Sequence, residues 1–582
     1  MMQSSSDSSV LYHDLADDLN LASGPEEHRW ALRCVTLLAG CNTDDVRCTL
    51  RKFTLGQCNG KYEALSYTWG DPNDRTQIFL DDQPFSVTAN LESALRCLRL
   101  PDTDRVLWTD SIYINQNNVS EVNIQVQRMW AIYKYSSRVV VFLGRETKAT
   151  TSIAGLLKKL TADVSPKDYQ AITSLLQDKS EAISWKALDK LMKRPWWSRA
   201  WIVQEFAVNR EVVFICGTIE IPESIFGSVL EILVDYRFNA IVPKPLQYFV
   251  RHIASTPISH LWTVRRAYQK HGLDERMRDP ENMLYRFRGF KSFDPRDKVY
   301  SLFRLMGEDA DLKPDYNKPV QELYKDVVLC HHNRTILGIR GLPTWCPDWT
   351  VMRGRRILLW PNGYSAGGTG TASPRFDGNK LYLKGKLLSR VQWLRAFDSS
   401  IFSDNSTVFH HIEAIEAEIL RQSEACSATE EKPWPLLDAF HATLVGSRIR
   451  KKGPSQRSTA LSPSDADKLW HAWYEHMSNR PWNELRGDAK LYNDAVYSAL
   501  CGRSFILTED KHFGLADIPI QIGDLAGAFL GSSVLFAVRQ KTQSELTKTE
   551  THFELVGECY LHGFMHGEAF KDVEPSSELC FV

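Results

Sequence analysis

The 582-residue chain has no excess of one charge sign. Its 70 Lys and Arg stand against 71 Asp and Glu, for a net charge of -1. A neutral chain has no global field to draw in nucleic acid or anionic lipid. The 12 cysteines contain no Cys-x-x-Cys pair, and the amino terminus (MMQSSSDSSV) lacks a basic segment followed by an apolar one. The thiols therefore read as reduced core residues and the location as cytoplasmic. The best apolar runs, Val139–Leu143 and Ser533–Val538, fall far short of the ~18 residues that span a bilayer. No His-Glu-x-x-His occurs, and Gly56–Lys61 (GQCNGK) has one residue too few for a phosphate-binding loop. His562 and His566 are four apart but stand beside Gly563 and Gly567, which makes them turn residues rather than a metal pair. No metal is expected.

Composition is that of a globular protein, with 43% hydrophobic and 24% charged residues, and the length suits several compact units. Residues 1–27 read as a polar tail. Over 28–217 strands alternate with helices. Tyr62–Tyr67, Arg105–Ile112, Arg138–Gly144 and Val212–Cys216 read as strands. Asn90–Leu100 is a helix with Leu91, Ala94, Leu95 and Leu98 on one face, and Val122–Tyr135 is a second. That alternation predicts a flavodoxin-like parallel sheet flanked by helices, with a polar helical insertion at 152–193. A mainly helical region with a Trp- and Pro-rich loop (341–349) covers 218–400. Charged helices with polar loops cover 401–499, and a small β-rich unit covers 500–582. Asp294, Pro295 and Asp297 mark a helix start ahead of the stripe Val299, Leu302, Phe303 and Met306.

Arg265–Lys298 is rich in basic residues, with Tyr268, Tyr285, Phe287 and Phe290 interleaved. It reads either as a nucleic-acid face or as a solvated helix surface, and the six acidic residues within it favour the second. Two acidic positions fall on the α/β unit. Asp110 lies at the carboxyl end of a predicted strand, the edge where open parallel sheets bind ligands; alternatively it caps the following turn. Glu205 lies four residues after Trp201, on the same helix face; alternatively it pairs with a nearby base.

Three ordered blocks carry a resemblance. They are Tyr62–Asp71 (YEALSYTWGD), Leu107–Gln116 (LWTDSIYINQ) and Arg194–Glu205 (RPWWSRAWIVQE). Together they resemble the heterokaryon incompatibility (HET) domain of filamentous fungi. Asp294–Tyr300, Pro314–Tyr316, Leu342–Trp349 and Gly557–Gly563 are similar to segments that commonly follow it. The usual Cys of the second block is Tyr113 here, which speaks against a cysteine nucleophile. The resemblance implies a role in non-self recognition, with growth arrest and cell death after fusion of incompatible cells. It also implies a protein partner (the incompatibility determinant), self-association, or both, with no nucleic acid and no membrane span.

The order of elements is also similar, more distantly, to the TIR domain. Ser198–Phe206 resembles the TIR segment that carries a Trp and, four residues on, the Glu of NAD-cleaving members. This implies that NAD is a possible substrate, with no permanently bound cofactor. Glu205 would stabilise an oxocarbenium-like ribose. Tyr67 or Trp69 would stack on a ring of the dinucleotide, Ser66 or Asp110 would position hydroxyls, and Trp201 would pack beneath Glu205. The competing expectation is a non-catalytic interaction module in which Glu205 and the tryptophans are structural. A pocket that reaches Glu205 separates the two.

Overall fold

The computed structural model describes residues 25–148, 150–163, 168–239, 257–307, 312–330, 363–370, 374–398, 400–403, 405–426, 437–450, 458–479, 485–541, 551–571 and 578–582, with Val250 and Trp345. The polar tail up to residue 24, most of the Trp- and Pro-rich loop and parts of the polar stretches near 421–432 and 450–464 lie outside them. The chain divides into two compact units, Met1–Leu323 and Tyr324–Val582.

The first unit is built on a sheet of nine strands among the described residues: β1 (Ala31–Leu37), β2 (Arg47–Thr54), β3 (Glu63–Ser66), β4 (Arg75–Leu80), β5 (Gln83–Thr88), β6 (Arg105–Trp108), β7 (Arg138–Phe142), β8 (Val212–Cys216) and β9 (Ile219–Pro222). Their spatial order is β5-β4-β2-β1-β6-β3-β7-β8-β9. β3 runs parallel to both β6 and β7, and β7 is parallel to β8. These four in chain order are β3, β6, β7, β8, but in space β6-β3-β7-β8, so the winding reverses at β3. That is the flavodoxin-like switch point, which opens a crevice at the carboxyl ends. All five residues of β8 are buried, as is β7 from Val139 onward. This follows from helices covering both faces of a parallel sheet.

The outer strands β1, β2, β4, β5 and β9 are additions that the α/β alternation did not announce. β4 and β5 form a hairpin whose two-residue turn is Asp81-Asp82, at φ 49° and 61°. Twin positive φ values are what a tight hairpin requires, and Asp tolerates them better than most residues.

The helices that position the site are α1 (Ala89–Leu98), α2 (Asp110–Tyr113), α3 (Val119–Tyr135), α4 (Ile202–Ala207) and α5 (Pro257–His271). The Thr88 hydroxyl caps α1, and Leu91, Ala94, Leu95 and Leu98 all enter the core. One local reading changes. The predicted strand Arg105–Ile112 stops at Trp108, and Asp110 opens α2. The segment before Glu205 is not one continuous helix: Pro195–Ser198 is a 3-10 turn, and α4 begins only at Ile202. Between them the chain pairs with Lys291. Ala200 N–H donates to the Lys291 carbonyl at 2.8 Å, and Lys291 N–H donates to that of Ser198. Arg199, held extended there, cannot join the helix.

The second unit carries an eight-stranded sheet: β10 (Arg375–Asp377), β11 (Lys380–Phe397), β12 to β13 standing apart as a small pair (Arg448–Arg450 and Ser458–Ala460), then β14 (Arg503–Thr508), β15 (Phe513–Asp517), β16 (Leu525–Phe529), β17 (Leu535–Gln540), β18 (His552–Leu561) and β19 (Glu578–Phe581). The path β11-β14-β15-β18-β17-β16 returns to β11, so six strands close a ring. Closure removes exposed strand edges. Long β11 serves both sides: Gly385–Arg390 pairs with β16, and Val391–Phe397 with β14. A side chain at Gly385 would place its Cβ 2.5 Å from the Ala528 carbonyl oxygen, so only glycine fits the crossing. Helices Asn405–Cys426, Leu437–Leu444, Pro463–Asn479 and Gly487–Leu500 complete this unit. Among the described residues, no helix is long and apolar enough to cross a membrane.

Candidate functional site

The carboxyl ends of β3 and β6 bring together residues that lie far apart in sequence. β3 ends at Ser66, and the chain continues through Tyr67 to Trp69. β6 ends at Trp108 and is followed by Asp110. α4 supplies Glu205 from the other side. Ser66 donates its hydroxyl to Glu205 Oε2 and accepts from the Trp196 indole N–H at 2.8 Å. Arg199 Nη1 stands 3.5 Å from the same carboxylate oxygen. Trp69 Nε1 donates to Asp110 Oδ2 at 3.0 Å, and Tyr67 hydroxyl donates to Ser111 Oγ at 2.7 Å. Asp110 Oδ1 also accepts from the adjacent Ser111 amide, but the helical turn it opens has no side-chain cap.

Ser66, Tyr67, Asp110 and Glu205 are thus gathered into one network, with Trp69 at its rim. Trp201 joins it only through the backbone, where its carbonyl accepts from the Glu205 amide at 3.2 Å. Its indole instead lies near the carboxylate of Asp297, where it acts to lower that group's pKa. Asp297 also accepts from the Tyr316 hydroxyl at 2.6 Å. Asp297 does stand in the first turn of a helix, but that helix is only the four residues Asp297–Tyr300 and has no side-chain cap; Asp294, at the expected start, accepts from the Arg296 amide.

Electrostatics follow from burial. Glu205 is only 1% exposed. Desolvation pushes its carboxyl above the ordinary range, against the opposing pull of Arg199 and the Ser66 hydroxyl. Asp110 is raised for the same first reason, against Arg199, the Trp69 N–H and the Ser111 amide. Burial lowers Arg199, but Glu205 and then Asp110 outweigh it and hold the guanidinium above its usual value. One cation therefore serves two buried carboxylates. Arg199 and Trp196 were given no role in the sequence reading. The signal for them was a charged residue and an indole lodged within an aromatic block.

Trp69 is 42% exposed and is the part of this network that meets solvent most. Two cavities in this unit lie elsewhere, one lined by Thr147, Lys190 and Arg194, the other by Trp130 and Arg210 among others; neither includes Glu205. In the second unit, Gly363–Gly367 (GYSAG) has the spacing of a hydrolase nucleophile elbow. Among the described residues Ser365 sits in a turn held by Met565, and the next described element is strand β10 rather than the helix that a nucleophile elbow opens. Among the described residues no group of three metal-ligating side chains converges.

The sheet and its edge network define an α/β module with a buried carboxylate pair at the switch point. Residues 62–205, from the residue before β3 to Glu205 itself, match the family model described as heterokaryon incompatibility protein (HET). Residues 62–205 are therefore similar to the HET domain. It is also 24% identical to heterokaryon incompatibility protein 6, OR allele, of Neurospora crassa, over 92% of this chain and 94% of that protein. No solved structure matches the chain.

Proposed function

We propose that this is a heterokaryon-incompatibility protein in which the HET domain acts as a signalling module for non-self recognition, leading to growth arrest and cell death. The family match and the similarity to the Neurospora protein over nearly the whole of both chains support the incompatibility role. The observation that favours a module over a hydrolase is Glu205, 1% exposed and fixed by Ser66 and Arg199. A carboxylate so enclosed holds the β3, β6 and α4 segments in register. The response then follows from assembly with the incompatibility determinant or a second copy, in the cytoplasm.

A second reading, NAD cleavage with Glu205 as the catalytic carboxylate, is favoured by one detail. Glu205 Oε1 has no hydrogen-bond partner, and exposed Trp69 stands above Asp110 at the ligand-binding edge of the sheet. Arg199 and Ser66 would then hold the carboxylate until a ribose displaced them.

Induced expression of wild type and Glu205→Gln in a filamentous fungal host, with viability and NAD measured together, separates the readings. The module predicts killing with NAD intact. NAD loss that precedes death and disappears in a folded Glu205→Gln protein would establish the hydrolase instead.

A further inference from the structure

A second cleft lies at the opposite edge of the parallel strands, in the first unit. Ser136 and Ser137 lead into β7 there, and Asn209 and Glu211 lead into β8. Its volume is about 950 Å³, ample for a ligand of some twenty to thirty heavy atoms. Four cations line it: Lys134, Arg210, Arg278 and Arg304. Lys134, Arg210 and Arg278 are exposed, and among the described residues none of the four has a carboxylate within ion-pair distance. Glu211 is the acidic residue of the lining.

Aromatic rings stand among these charges. The Lys134 ammonium lies 5.1 Å from the Trp130 ring centre and 5.3 Å from that of Tyr135, and the Arg304 guanidinium lies 5.6 Å from Trp130. Tyr268 closes another wall. Two lining residues also carry buried donors with no acceptor: Trp130 Nε1 and Arg304 Nε. Buried donors are ordinarily paired, so two in one cleft call for an acceptor.

Helix ends offer a competing account of the cations. α3 ends at Tyr135, α4 at Ala207 and α5 at His271, and carbonyl ends attract bases. Each end carries at most about half a negative charge. With Glu211 the three ends offset about two and a half of the four positive charges, and a positive surplus remains.

We propose that this cleft binds a small phosphorylated ligand with a planar ring, of the nucleotide class. The phosphate would meet Arg210, Arg278 and Lys134 at the mouth, and the ring would lie against Trp130 and Tyr268. The basic, aromatic stretch Arg265–Lys298 contributes Tyr268 and Arg278, so it serves a pocket rather than a nucleic-acid face or a merely solvated one.

Calorimetric titration of the purified full chain with AMP tests this, with inorganic phosphate and adenosine as separate arms. Saturable AMP binding that weakens with added salt is expected, with phosphate and adenosine each at least about tenfold weaker. Arg210→Gln and Arg278→Gln lie at exposed positions and should keep the thermal midpoint; each should weaken AMP by about tenfold. Trp130→Leu should reduce the preference for AMP over phosphate. Absence of AMP binding, phosphate binding as tightly as AMP, or unchanged affinity in both arginine variants would overturn the proposal.

Discussion

Ser66 donates its hydroxyl to the carboxylate of Glu205, 139 positions further along the chain. The bond joins the last residue of β3 to α4 across the edge where the winding of the sheet reverses. Trp196 completes it by donating to the same hydroxyl at 2.8 Å. One small side chain thus satisfies a buried indole and a buried acid together, which fixes where α4 begins its turn relative to the sheet.

Removal of that hydroxyl should be costly for its size. Ser66→Ala leaves the Trp196 N–H and one Glu205 oxygen without this partner, and an unmade buried bond costs about 1–3 kcal/mol. A loss of about 2–4 kcal/mol is expected in urea unfolding, with Ser66→Thr, which keeps a hydroxyl, losing less. Equal losses for the two variants would show that the hydroxyl bonds are not the reason Ser66 is there.

Arg199 carries a heavier electrostatic duty. It is the cation that faces both Glu205 and Asp110. Arg199→Met should destabilise the protein by about 3–5 kcal/mol at pH 7, because two buried acids lose their counter-charge. Both acids already have raised pKa values. Protonation at lower pH should therefore shrink the difference between variant and wild type. A denaturation midpoint that moves equally at pH 4 and pH 7 would rule out this account.

The parallel core was legible because its signals are local. Val139–Phe142 and Val212–Cys216 are continuous apolar runs, and Leu91, Ala94, Leu95 and Leu98 repeat at helical spacing. The grouping of Ser66, Asp110 and Glu205 was legible only through the family blocks, since no periodicity ties residue 66 to residue 205. Trp201 shows the limit of helical spacing. Its i, i+4 relation to Glu205 holds in the backbone, where the Trp201 carbonyl accepts from the Glu205 amide, but nothing in that spacing announced Asp297 as a neighbour of the indole. The ring closed by β11 was illegible for the same reason: strand partners far apart in sequence leave no local mark.

The β4–β5 turn permits a gain in stability. Asp82 holds φ at 61°, and its ion pair with Arg47 is exposed on both sides. Exposed pairs contribute about 0–1 kcal/mol, while glycine meets the left-handed conformation without a Cβ penalty. Asp82→Gly should leave stability level or raise it by up to about 1 kcal/mol. A fall in thermal midpoint would mean that the Arg47 pair outweighs the backbone term.

Asp297 gives the sharpest pH test. Burial pushes its carboxyl up from 3.8 to about 6, against the Tyr316 hydroxyl and the Trp201 indole, with Asp294 adding to the rise. A folded-state pKa above the unfolded one means that the folded protein binds the extra proton between about pH 4 and 6. The associated stability is therefore full below pH 4, declines as pH rises through 6, and is gone above. Asp297→Asn keeps an oxygen that can accept from Tyr316 but cannot titrate. Wild type minus variant stability, from urea midpoints at pH 4, 5, 6 and 7.5, should fall across that window and then level off. Glu205 and Asp110 titrate alike in both proteins and cancel in the difference. A flat difference, or one that rises with pH, would show that the Asp297 carboxyl is stabilised as the anion by Tyr316 and Trp201 rather than held neutral by burial.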